Sequence, residues 1–204
     1  MLAMPFILGL TGSIGMGKTT AAQHFRRMSV PVFDADRAVA RLYSGEAAPL
    51  IEEAFPGSVR DGRVDRDRLA NAVFADQSAI RSLEAIVHPL VRMAELSFLE
   101  GAGAVGARLA VLDVPLLMET GGEKRCDAVL VVSAPPAVQR QRVLARPGMT
   151  EERLEAILQR QMPDEEKRRR AHFVIDTSHS HAAARRQVEA VIRALAGRPN
   201  RRGA

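Results

Sequence analysis

Five short runs in the chain are apolar at nearly every position: Pro5–Leu10, Val30–Phe33, Arg108–Leu112, Ala128–Val132 and Phe173–Ile175. A strand with one wet face alternates apolar and polar residues. Uniformly apolar runs belong to strands covered on both faces, as in a buried parallel sheet. Between them, apolar residues recur at helical spacing over Lys18–Met28, Arg66–Phe74, Ser78–Ile86, Pro89–Glu100, Pro135–Ala145, Glu151–Gln161 and His181–Leu195. Strands alternating with helices predict an α/β layered fold.

Two spacings depart from simple alternation. About 75 residues separate the second and third strands, far more than one crossover needs, so the excess is expected to form a helical insertion. The other is Arg140–Gln161, which reads as an arginine-rich helical hairpin broken at Pro147-Gly148 and able to cover the sheet edge. Met1–Leu10 is apolar but has no basic leader region and runs into Thr11-Gly12-Ser13, so a first strand is expected there rather than a signal peptide. The end, from Gly197 to Ala204, reads as a frayed tail.

Composition narrows the function. With 204 residues, one compact unit with small insertions is expected. No run of about 18 apolar residues occurs, so no membrane span is expected. The single cysteine, Cys126, excludes an intrachain disulfide, reads as a buried structural thiol and suits a reducing, cytoplasmic compartment. The formal charge is +5, almost all of it arginine. That balance suits polyphosphate ligands, nucleic acid or a membrane surface, and equally a solvated basic surface. With no Trp and one Tyr, the aromatic platforms of a single-strand nucleic-acid binder are missing.

The first strand runs into Gly12-Ser-Ile-Gly15-Met16-Gly17-Lys18-Thr19, a full G-x-x-x-x-G-K-[ST] pattern. Its glycines let backbone N–H groups fold into a nest around phosphate oxygens, and the following helix aims its positive end at the same place. In this pattern Lys18 reaches the β- and γ-phosphates and the Thr19 hydroxyl ligates Mg²⁺. The motif points to a nucleoside triphosphate and is silent about the acceptor.

Ligands of a parallel sheet sit beyond the carboxyl ends of its strands. There the second strand ends in Asp34-Ala35-Asp36 and the third in Asp113. Such an acid can accept the acceptor's proton or hold Mg²⁺ through water. Alternatively, Asp34 or Asp36 serves as the N-cap of the next helix. Arg140, Arg142 and Arg146 share helical spacing on the hairpin. They either close on the triphosphate or form a solvated basic face. His88-Pro89 lies within the insertion, where a lone histidine is ordinarily a packing or surface residue.

Taken together, several stretches resemble the dephospho-coenzyme A kinase family. They are Leu10–Thr19, Val32-Phe-Asp-Ala-Asp36, Ile86-Val-His-Pro-Leu90, Leu112-Asp-Val-Pro-Leu-Leu-Met-Glu119, Gln161-Met162, Glu166-Lys167 and Val174-Ile-Asp176. The resemblance implies a three-layer α/β P-loop nucleoside-triphosphate-hydrolase fold with a five-stranded parallel sheet. Within a single unit over 1–204 it implies a helical coenzyme-binding insertion at 36–104 and a lid at 140–163.

It implies that ATP is spent on the ribose 3′-hydroxyl of dephospho-coenzyme A, the last step of coenzyme A synthesis. Asp34, Lys18 and Arg142 are the expected catalytic residues. Gly12, Gly15, Met16, Gly17, Lys18, Thr19, Thr20 and Arg146 are expected to hold ATP, with Thr19 on Mg²⁺. Asp36, His88 and Asp113 are expected to face the acceptor. No nucleic-acid, membrane or obligate protein partner is expected.

Pro147, His172 and Thr177 depart from the family's usual Asp, Asp and Asn. The first bears on the lid hinge and the other two on the adenine end of ATP. Other P-loop kinases of nucleotides or nucleosides share the ATP site, and only the insertion argues against them. A nucleotide-binding switch lacks support, because the Asn-Lys-x-Asp guanine signature is absent.

Overall fold

The computed structural model describes residues 4–74 and 76–198; the expected tail beyond 198 lies outside the described residues. In chain order the elements are β1 (Phe6–Thr11), α1 (Lys18–Arg27), β2 (Val32–Asp34), α2 (Ala35–Leu42), α3 (Ala47–Ala54), β3 (Val59–Arg60), β4 (Arg63–Val64), α4 (Arg66–Val73) and α5 (Gln77–Ala104). There follow β5 (Leu109–Asp113), a 3-10 turn (Gly122–Arg125), β6 (Ala128–Ser133), α6 (Pro136–Leu144), α7 (Glu151–Gln159), α8 (Asp164–Arg170), β7 (Phe173–Asp176) and α9 (His181–Leu195). Contacts divide the chain into two compact units, one made of residues 1–33 and 99–204, the other of 34–98.

The first unit is built on a five-stranded parallel sheet of order β2-β5-β1-β6-β7. Strands β1, β5 and β6 are buried at every position, as uniformly apolar runs require. Register sorts their side chains between two faces. Phe6 and Leu8 lie opposite Leu109 and Val111, and Leu130 lies opposite Phe173. That face packs on Ala21, Ala22 and Phe25 of α1 and on Val188, Val191 and Leu195 of α9. The other face carries Val129 and Val131 against Leu117 and Met118. With both faces of the sheet covered, the unit is a three-layer α/β structure.

Cys126 is half-buried rather than fully enclosed, at the edge of this second cluster. A side chain at Gly9 would put its Cβ 2.8 Å from the Cys126 sulfur, so this strand position is closed to anything larger than glycine.

The second unit is mostly helical. Ala47, Ile51, Phe55, Leu69 and Val87 form its core, with Tyr43, Leu83 and Leu90 packed around them. One sequence expectation fails here: a single helix, α5, runs through Pro89 where two were expected. Proline deletes one N–H and so frees only the carbonyl four residues back. That residue is Ala85, exposed like Pro89, so water can satisfy it. Val87 on one side of Pro89 and Leu90 and Val91 on the other are held in the same core.

Candidate phosphate-binding site

The Gly12–Thr19 segment joins the end of β1 to the first turn of α1 and lies in the first unit. Gly12 has no room for a side chain, because a Cβ would lie 2.8 Å from the Val132 carbonyl oxygen. Gly17 is the N-cap of α1 at φ 84°, left-handed backbone that favours glycine. It gives no side-chain cap, and the first turn of α1 carries no acid. The N-terminal N–H groups of α1 therefore meet no side-chain anion of their own turn, which suits an incoming phosphate.

Three consecutive carbonyls of this loop are each met by a side chain from the C-terminal half of the chain. Gln139 Nε2 donates to the Ile14 carbonyl at 2.8 Å. Arg142 makes a long 3.5 Å contact with the Gly15 carbonyl. The Thr177 hydroxyl donates to the Met16 carbonyl at 2.8 Å. The Ile14 N–H is taken by Gln161 Oε1 and the Met16 N–H by the Ser13 carbonyl, so an anion nest here falls to the N–H groups of Gly15, Gly17 and the first turn of α1.

Lys18 extends to the carboxyl end of β5, where its Nζ lies 2.6 Å from Asp113 Oδ1. The Asp113 side chain is 5% exposed and that of Lys18 18%. Thr19 is exposed and Thr20 half-buried in the same helical turn. Arg142 is half-buried beside the loop and donates to the Thr177 carbonyl at 2.6 Å and to its hydroxyl at 3.1 Å. Arg146 is exposed. Arg140 pairs with Glu151 at 2.6 Å, stapling α6 to α7, and does not join Arg142.

The first unit thus brings together Gly12, Gly15, Met16, Gly17, Lys18, Asp113 and Arg142. Asp34, Asp36 and His88 belong to the second unit. Asp34 ends β2 and caps α2, accepting from the Arg37 N–H at 3.0 Å. Asp36 follows in the first turn and is exposed. His88 is exposed on α5. Of the departures noted above, His172 accepts from the Val129 N–H through Nδ1 at 3.2 Å, and Thr177 takes the loop contacts already described.

Sequence reasoning gave no role to Gln139, Gln161 or the Glu119–Lys167 pair. Gln161 Oε1 accepts from the Ile14 N–H at 3.1 Å. Lys167 is fully buried with its Nζ 2.8 Å from Glu119 Oε1, which also accepts from the Met162 N–H at 2.9 Å. Burial pushes the Glu119 carboxyl up, but the hydrogen bonds from Lys167 and Met162 outweigh it and hold the group below the ordinary glutamate value. Gln161, Glu119 and Lys167 fall within the stretches that carry the family resemblance, Gln161-Met162, Leu112–Glu119 and Glu166-Lys167, whereas Gln139 falls in none. Spacing alone gives them no chemistry.

The family model described as dephospho-CoA kinase matches residues 6–183. The chain belongs to the dephospho-CoA kinase family. A dephospho-CoA kinase of Brucella melitensis is 60% identical over 193 residues, covering 95% of this chain and 96% of that one. Among solved structures, TT1252 from Thermus thermophilus has a TM-score of 0.81 at 41% identity, covering 95% of this chain and 100% of that one. A dephospho-CoA kinase from Campylobacter jejuni has a TM-score of 0.66 at 25% identity, covering 95% and 98%. Family members are P-loop phosphotransferases, and the reaction of the family is the last step of coenzyme A biosynthesis. Among the described residues, no helix is long and apolar enough to cross a membrane.

Proposed function

We propose that the chain transfers the γ-phosphoryl group of ATP to the ribose 3′-hydroxyl of dephospho-coenzyme A, releasing ADP and coenzyme A. The observation that carries this reading is Lys18 poised at 2.6 Å from Asp113 beside the glycine loop, in a chain of this family. The hydroxyl oxygen bonds to the γ-phosphorus, the bond to the β–γ bridging oxygen breaks, and the hydroxyl proton leaves to a carboxylate.

Asp34 is that carboxylate in our assignment. Its Oδ1 also caps α2 by accepting from the Arg37 N–H. Lys18 and the N–H groups of Gly15, Gly17, Lys18 and Thr19 hold the phosphates, with Gly12, Met16 and Thr20 framing the loop. Arg142 and Arg146 offset charge developing on the transferred group. Asp36 and His88 contact the acceptor, within an insertion assigned to 36–104, and the hairpin at 140–163 is assigned as a lid.

Mg²⁺ fits the donors present. The Thr19 hydroxyl and the Asp113 carboxylate are hard oxygen ligands, and this ion is ordinarily held by one or two protein groups plus phosphates. When bound, it would neutralise charge on the β- and γ-phosphates. Asp113 thereby serves Lys18, the metal or the acceptor in turn. The reading is of a cytoplasmic enzyme acting on a small molecule, with no nucleic acid, membrane or obligate protein partner.

The test is to incubate the protein with Mg-ATP and a panel of acceptors and to weigh the products. Dephospho-coenzyme A should gain one phosphate. Phosphorylation of nucleosides or nucleoside monophosphates alone would overturn the substrate while leaving the kinase.

A further inference from the structure

We propose that Gln139 and Gln161 are positioning residues that clamp one residue of the phosphate loop, Ile14, through the peptide groups on either side of it, and so set the loop's affinity for ATP before ATP arrives. The inference rests on the assignment of ATP to that loop. Ile14 is gripped at both its polar groups: its carbonyl accepts from Gln139 Nε2 at 2.8 Å, and its N–H donates to Gln161 Oε1 at 3.1 Å. Neither bond is part of a helix or strand ladder. Both partners are more than 120 residues away along the chain.

The grip comes from the two roots of one hairpin. Gln139 lies in α6 and is buried; Gln161 lies two residues beyond α7. The root at Gln161 is itself fixed. The next N–H, of Met162, is held by Glu119, whose charge is matched by the fully buried Lys167. A carboxylate that keeps its charge at such a site needs a cation and donors beside it. Glu119 and Lys167 therefore supply an anchored point from which a neutral amide can reach the loop.

A neutral amide suits this task better than a charged group. It offers a donor or an acceptor to the backbone of Ile14 without adding charge beside the phosphates. The consequence is kinetic. A loop held with its carbonyls turned outward contacts bound phosphates equally in the ground and transition states. Loss of such uniform binding raises KM and leaves kcat alone.

The experiment uses Gln139→Met and Gln161→Met, which keep side-chain length and remove the hydrogen bond. Each is expected to raise the KM for ATP about fivefold, the scale of one net hydrogen bond. Each should change kcat less than about twofold and leave the KM for dephospho-coenzyme A unchanged. ADP affinity measured by calorimetry should fall in parallel with the rise in KM. The double variant should fall short of the product of the two single effects, because both restrain one residue.

Folded variants with unchanged ATP KM and ADP affinity would overturn the clamp, as would equal rises in both substrate KM values or a loss confined to kcat. Amide hydrogen exchange on the unsubstituted protein without nucleotide tests the same point and needs no variant to fold. The Ile14 N–H should exchange slowly; exchange as fast as an exposed loop amide would overturn the proposal. If the unsubstituted protein binds no ADP, the assignment of ATP to the loop fails instead.

Discussion

Lys18 Nζ and Asp113 Oδ1 lie 2.6 Å apart, 95 positions distant in sequence, at the carboxyl ends of neighbouring strands. The pair joins the phosphate loop to β5 and gives the lysine a counter-charge. On the proposed assignment of ATP to this loop, its phosphates compete with Asp113 for Lys18.

Lys18→Ala should lower turnover about 10²–10³-fold, the scale of losing a preorganised electrostatic contact to the reacting group. Asp113→Asn should lower turnover by a similar factor, yet bind ADP at least as tightly as the unsubstituted protein, because the competitor for Lys18 has lost its charge. Calorimetry with ADP beside single-turnover kinetics checks both. Weaker ADP binding in Asp113→Asn would show that Asp113 assists nucleotide binding instead of competing with it.

Asp34 both caps α2 and stands as the assigned base, and two substitutions separate these tasks. Asparagine caps almost as well as aspartate, so Asp34→Asn should keep stability within a few tenths of a kcal/mol, whereas Asp34→Ala should lose about 1 kcal/mol. Both should lose turnover about 10²–10⁴-fold if the carboxylate takes the proton. Urea unfolding and single-turnover rates on the same samples decide it. Normal turnover in Asp34→Asn would reduce Asp34 to a cap and direct attention to Asp36.

The Thr177 hydroxyl links the Met16 carbonyl to Arg142. Thr177→Val keeps the shape and deletes the hydroxyl. A stability loss of about 1–3 kcal/mol is expected, because a buried carbonyl loses its donor. The KM for ATP should also rise. Thr177→Ser should restore both, and thermal melting with ATP titration is the check.

His24 in α1 is buried, and among the described residues neither ring nitrogen has a hydrogen-bond partner. Burial first, then the neighbouring charges of Arg27, His181 and Arg185, lower its pKa below 6.5, against an opposing pull from Glu189. Because the folded value is depressed, the stabilising contribution is complete above 6.5 and is lost as pH falls through the folded value. Unfolding free energy should therefore decline from pH 7 toward acid, and decline less in His24→Met. Urea titrations at several pH values test this; parallel curves would exclude His24 as the source.

The sheet and the phosphate loop were legible because their information is local. A uniformly apolar run declares a strand covered on both faces, and the glycine spacing with Lys18 and Thr19 is written in consecutive residues. Helix α8 was not legible. Asp164–Arg170 is charged throughout, without an apolar stripe to give a period. Its acids lie in the first turn and its bases in the last, which favours a helix through the dipole alone. The break expected at Pro89 failed because tertiary packing on both sides of the proline outweighed one missing hydrogen bond.

The sequence by itself therefore determined the strand cores, the glycine loop and the acids at strand ends. Only the tertiary structure decided which partners those groups meet. Asp113 falls to Lys18, Gln139 and Gln161 to Ile14, Thr177 to Met16, and Glu119 to Lys167. The physical reason is separation: the loop pairs span 95 to 161 positions. No local periodicity encodes a contact over such a distance. It exists only once parallel strands, each returned by a helical crossover, bring their carboxyl ends to one edge of the sheet.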